Sequence, residues 1–109
     1  MMSLHFDNFT IVIGKNKNDN WKILDEANDN DTWLHLDDKP SPYIIIKTKN
    51  NYKLTYKNLK LAAILCKNNS KYKKINDLCV CYTLVKNVKK GEHIGEVILL
   101  EEPKIIKLK

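Results

Sequence analysis

The chain has 109 residues, 43% of them apolar, and a mean hydropathy of -0.44, the profile of one soluble domain able to bury a core without metals or disulfides. The net charge is +6 and all 19 basic residues are lysine; residues 1–42 hold 4 Lys and 8 Asp/Glu, whereas residues 43–109 hold 15 Lys and 5 Asp/Glu. These figures exclude a disordered chain, and no apolar run approaches the roughly 18 residues of a membrane-spanning helix. With three glycines and no G-x-x-x-x-G-K or G-x-G-x-x-G, the usual nucleotide-binding loops are excluded as well.

The β-branched run Phe9–Ile13, closed by Gly14, predicts the first strand. Lys15–Asn20 is polar and reads as a loop or helix start. Trp21–Ala27 follows as a short helix with Ile23, Leu24 and Ala27 inward. Asn28–Asp31 has turn chemistry, Thr32–Leu36 is the second strand, and Asp37–Pro42 is a connecting turn. Tyr43–Lys47 is a strand buried on both faces. Leu54–Lys67 is the clearest helix, with Leu54, Leu59, Leu61, Ala62, Ala63, Leu65 and Cys66 on one broad arc. Opposite them Lys53, Lys57, Lys60, Lys67 and Lys71 form a stripe, either a phosphate-facing ridge or an ordinary solvated helix face.

Lys71–Lys74 is a basic loop, Leu78–Val85 a central strand, Lys86–Lys90 a second basic segment and Gly91–Gly95 a turn. Glu96–Leu100 and Ile105–Leu108 complete a β-α-β-β-α-β-β-β order. The fold class is α+β: a single compact domain, residues 1–109, with a mixed sheet of about five to six strands and two helices.

Few residues here suit catalysis or metal binding. Cys79 and Cys81 share a strand face, but structural zinc wants four ligands, and only Cys66 and three scattered histidines remain. No cofactor and no metal are expected. The odd cysteine count and a start, Met1–His5, without a signal-peptide pattern lead us to expect a reduced cytoplasmic protein. Enzymatic activity is not expected; processing of RNA through His35 is the alternative. The abundance of Lys, Asn and Ile, all with A/T-rich codons, reads first as a genome bias such as a giant virus or an AT-rich microbe carries.

Two features suggest a polyanion partner. One is the positive excess after residue 43, since a concentrated positive field draws phosphate backbones. The other is Asp31-Thr32-Trp33-Leu34-His35, in which alternation puts Asp31, Trp33 and His35 on one strand face. Indole and imidazole stack on bases, so this face is either a recognition platform or a Trp–His pair at the core edge. A fully buried Trp33 would remove the platform and leave only the lysines.

These segments resemble the NFACT-R domain in sequence order. Val12-Ile13-Gly14-Lys15-Asn16, Asn20 and Asp31–His35 are similar to its Gly-Arg/Lys-Asn strand end, following Asn and Asp-x-Trp-x-His segment. Pro40–Ile46 stands where that family has a Pro-Gly-Ser-His turn and an apolar strand. Ala62-Ala63, Ser70-Lys71, Val80–Thr83, Val88-Lys89-Lys90 and Gly95-Glu96-Val97 resemble its later motifs, so the likeness runs from about Phe9 to Leu108. Two departures stand out: Ser41-Pro42-Tyr43 replaces Gly-Ser-His, and Lys15 keeps charge without the bidentate fork of arginine.

The resemblance implies a non-catalytic RNA-binding module linked to translation or ribosome quality control. Lys15, Asn16 and Asn20 would then line a polar loop. Trp33, His35 and Tyr43 would supply stacking and base-edge contacts, with Asp31 orienting the histidine or accepting from a base amine. Lys57, Lys60, Lys71, Lys73, Lys74, Lys86, Lys89 and Lys90 would hold phosphates. RNA, tRNA-like or otherwise structured, is the expected partner. DNA and a ribosomal or other protein partner are the alternatives, and no membrane is involved.

Overall fold

The computed structural model describes residues 1–109. Its main sheet has six strands in the order β1-β2-β4-β3-β5-β8. These are β1 (Met2–His5), β2 (Phe9–Ile13), β3 (Thr32–Leu36), β4 (Ile44–Thr48), β5 (Cys79–Leu84) and β8 (Lys104–Lys107). A separate two-stranded ribbon pairs β6 (Val88–Lys90) with β7 (Val97–Leu99). The helices are α1 (Lys17–Asp25) and α2 (Tyr56–Asn68).

The α+β class, both helices and the six-strand sheet agree with the sequence reading. Every pairing is antiparallel, however, where the sequence suggests a mixed sheet. The connections explain this. The β2-α1-β3 crossover leaves room for one strand, and β4 fills it in the opposite direction; β4-α2-β5 likewise spans β3. Both crossovers step the same way along the sheet from strands that run in opposite directions. A common crossover hand therefore puts the two helices on opposite faces.

That is the arrangement of the core. On one face Ala62, Ala63 and Cys66 of α2 pack on Ile11, Ile13, Leu34, Leu36, Ile44, Ile46, Val80 and Ile106. On the other, Ile23 and Leu24 of α1 join Val12, Trp33, Tyr43, Ile45 and Cys81, and the ribbon's Val88, Val97 and Leu99 close over them. The run Ile44-Ile45-Ile46 is fully buried because it feeds both clusters in alternation. The buried positions of α2 are small, which lets the helix lie close to the sheet.

Local chemistry sets the helix starts. Asn16 caps α1 by accepting from Asp19 N at 2.9 Å. Thr55 caps α2 in a reciprocal box with Asn58, and the Tyr52 hydroxyl donates to Asn58 Oδ1 at 2.9 Å. Helix α1 thus begins four residues before the predicted Trp21, and Asn20 lies within it. Leu54 precedes α2, and Leu61 is exposed instead of inward.

Strand β1 has no counterpart in the sequence reading. It carries only Leu4 as a packed apolar residue and is an edge strand, which needs no alternating pattern. It is folded back by a hairpin in which Phe6 stacks on Phe9 at 4.7 Å. The segment that reads as merely basic, Lys86–Lys90, is a 3-10 turn running into β6.

Candidate nucleic-acid interface

Strands β2 and β3 end, and β4 and β5 begin, at one end of the sheet. Four connections meet there. These are the Gly14–Asn16 entry to α1, the Pro40-Ser41-Pro42 turn, the Asn69–Lys71 exit from α2 and the Ile94-Gly95 tip of the ribbon. Between them lies a cleft of about 400 Å³. Its walls include Lys15, Lys17 and Lys71, together with Asn16, Asn20, His35, Ser41, Asn69 and Ser70, and no acid.

The cleft is held by a clamp of side chains whose polar atoms are largely spent. Asn20 is buried; its Oδ1 accepts from Tyr43 N at 3.0 Å and its Nδ2 reaches Ser41 O at 3.5 Å. Ser41 Oγ accepts from Leu36 N and donates to Pro42 O, both at 3.0 Å. The Tyr43 hydroxyl donates to Gly95 O at 2.5 Å, and Trp21 Nε1 donates to Glu96 O at 3.1 Å. Those two bonds fix the ribbon tip over the cleft. Gly95 has φ +88°, and a side chain there would meet Lys17.

His35 is half-buried in the wall. Its Nδ1 lies 2.7 Å from Leu36 O. A carbonyl only accepts, so Nδ1 carries the proton and Nε2 keeps a lone pair. Nε2 has no partner in the chain and reaches the surface. Burial holds the imidazole's pKa below its ordinary value, with the Leu36 carbonyl and Asp37 acting the other way. The ring is therefore neutral near pH 7 and acts as a hydrogen-bond acceptor.

The stacking platform is overturned. Trp33 is 2% exposed and Tyr43 1%, so neither can receive a base on its face. The Trp33 indole lies parallel to the His35 imidazole, centroids 5.7 Å apart, and Tyr43 meets both rings edge-on at 5.6 Å. The layer of α1 and the ribbon covers what alternation alone leaves open. Burial also pushes the Tyr43 hydroxyl pKa up to about 12.

Of the other predicted residues, Asn16 and Asn20 line the cleft and the rest lie elsewhere. Asp31 is buried at the far end of β3, where it accepts from Asn28 N at 2.8 Å and faces Lys47 at 3.9 Å. Asn20 is a strut, and Asn16 is committed through Oδ1 to its helix. Lys57 and Lys60 sit on the first half of α2, and Lys73 and Lys74 on the loop beyond Lys71; all four are exposed and outside the cleft. Lys86, Lys89 and Lys90 belong to the ribbon side. Lys90 pairs with Asp25 at 2.9 Å and lies over the Trp21 ring. The sequence reading misses Lys17, whose proximity to Lys15 across the Asn16 cap is the available signal.

The fold and site define a small α+β domain with an antiparallel sheet and a lysine-lined cleft at one end of it. Residues 2–100 match the family described as NFACT protein RNA binding domain, and the chain belongs to that family. Among solved structures it resembles the C-terminal of the fibronectin/fibrinogen-binding protein from Streptococcus suis. The TM-score is 0.82 at 23% identity, over 92% of this chain and 41% of that one, a likeness of fold. No curated protein matches significantly.

Proposed function

We propose that the chain binds RNA without transforming it, seating the sugar–phosphate backbone in the cleft of Lys15, Lys17 and Lys71. The observation that carries this reading is the convergence of three lysines from two separate connections on one concave surface without an acid. Membership of an RNA-binding family supports it.

The neutral His35 adds a reason to favour RNA over DNA. Its free Nε2 accepts a hydrogen bond, which a 2′-hydroxyl can donate and deoxyribose cannot. As catalyst it is poorly placed, because the hydroxyls that share its cleft are engaged elsewhere, Ser41 Oγ with Leu36 N and Pro42 O and Ser70 Oγ with Lys67 O. Lys73 and Lys74, next along the chain from Lys71, extend the positive field for longer backbones. Structured RNA, tRNA-like or ribosomal, in a cytoplasmic and translational setting is the partner we put forward.

Fluorescence anisotropy against tRNA, single-stranded RNA and duplex DNA, each at roughly 50 and 200 mM salt, tests this reading. The expected result is RNA binding that exceeds DNA binding at both salts. Equal binding to all three that collapses at the higher salt would replace it with general polyanion affinity. No binding would direct attention to a protein partner.

A further inference from the structure

Beside the cationic cleft lies a second, more open one of about 490 Å³. The two share His35, Pro40 and Gly95 as a common wall. Their chemistry is opposite. The second cleft carries Asp37, Asp38 and Lys39, with Val97 and Leu99 as apolar surface.

Three polar groups here have no use within the chain. Neither the Asp37 nor the Asp38 carboxylate accepts a hydrogen bond or meets a cation. The third is Trp33, another wall of this cleft: its indole Nε1–H is the one buried side-chain polar atom without a partner, on a residue only 2% exposed. Buried indole N–H groups ordinarily find an acceptor.

We propose that this second cleft takes an unstacked guanine base of the bound RNA, while the neighbouring phosphate lies in the cationic cleft across His35. The inference rests on the RNA reading above. Guanine alone among the four bases presents two adjacent donors, N1–H and the N2 amine, beside an acceptor, O6. A carboxylate accepts from both donors, and O6 accepts from the unpartnered Trp33 indole N–H. The edges of adenine, cytosine and uracil each set an acceptor against the carboxylate. The half-buried Val97 and Leu99 offer the base face an apolar surface.

The test uses labelled U-tract RNA with one central G, A, C or inosine, titrated by anisotropy into the full chain. The G-containing strand should bind roughly tenfold more tightly than A or C, the scale of one charge-assisted hydrogen bond. Inosine, which lacks the N2 amine, should lose most of that gain. Asp37→Asn combined with Asp38→Asn should abolish the preference while U-tract binding persists.

Should that variant fold poorly, the indole N–H resonance of Trp33, identified by its loss in Trp33→Phe, gives a second readout. It should shift with guanosine monophosphate and stay still with adenosine monophosphate. Equal affinity for G, A and C with intact U-tract binding, or an unmoved indole resonance, overturns the guanine site and leaves RNA binding standing. Absence of binding to every RNA at roughly 50 mM salt overturns both.

Discussion

Asn20 occupies the space that a side chain at position 14 would need. A Cβ on Gly14 would overlap Asn20 Oδ1 and lie 3.1 Å from its Cγ. That oxygen cannot swing away cheaply, because it accepts the Tyr43 N–H that starts β4. The pair therefore welds the end of β2, the first turns of α1 and the head of β4 into one frame around the cationic cleft.

Gly14→Ala should destabilise the fold by about 1–3 kcal/mol, the usual range for overpacking. Asn20→Ala should cost about 1–3 kcal/mol by leaving the buried Tyr43 N–H unpaired. The two should not add: with Asn20 already shortened, Gly14→Ala should cost much less. Urea melts of both single variants and the double variant check this.

Trp33→Ala should act on stability. Removing a fully buried indole that packs on His35 and Tyr43 should cost about 3–5 kcal/mol. Affinity of the remaining folded fraction for U-tract RNA should be close to that of the parent. Thermal denaturation followed by binding below the transition separates the two effects.

The contrast between Trp33 and Gly14 shows what can be read from residues alone. Strand alternation correctly puts Trp33 and His35 on one face. Whether that face meets solvent depends on the β6–β7 ribbon, which reaches it from far along the chain and whose three-residue strands carry no strong pattern. The long apolar runs at β2, β4, β5 and α2 are legible because each is buried by its own periodicity. Strand β1 is not, since an edge strand is held by backbone pairing more than by side chains. Of the lysines, Lys15 and Lys71 come together with Lys17 only because crossovers on opposite faces return to one end of the sheet. Spacing along α2 can suggest a ridge but not that convergence.

His35 makes stability depend on pH. Its folded-state pKa lies below the unfolded value near 6.5, with burial as the main cause, so the unfolded chain binds the extra proton. The contribution is fully present above about pH 6.5 and is lost as pH falls through the folded value. Urea midpoints from pH 8 to pH 5 should fall more steeply for the parent than for His35→Gln. Parallel slopes would show that the imidazole is as accessible to protons folded as unfolded.

The thiols should react in a fixed order. Burial raises the Cys66 and Cys81 pKa values to about 11, while Cys79 is only half-buried. Alkylation under native conditions near pH 8 should label Cys79 first, with Cys66 and Cys81 following only on unfolding. Peptide mass spectrometry at timed quenches reads the order.

The central claim is that position, and not lysine number, creates the interface. The direct measurement is the salt dependence of RNA affinity for two charge-matched variants, Lys15→Ala with Lys71→Ala and Lys57→Ala with Lys60→Ala. If the cleft holds the backbone, the first pair should lower the log–log salt slope by about two units, near one for each phosphate no longer held, and weaken binding throughout. The second pair should leave both nearly unchanged. Equal weakening by the two pairs, or a greater effect from the α2 pair, would contradict the cleft and return the interface to a diffuse lysine surface.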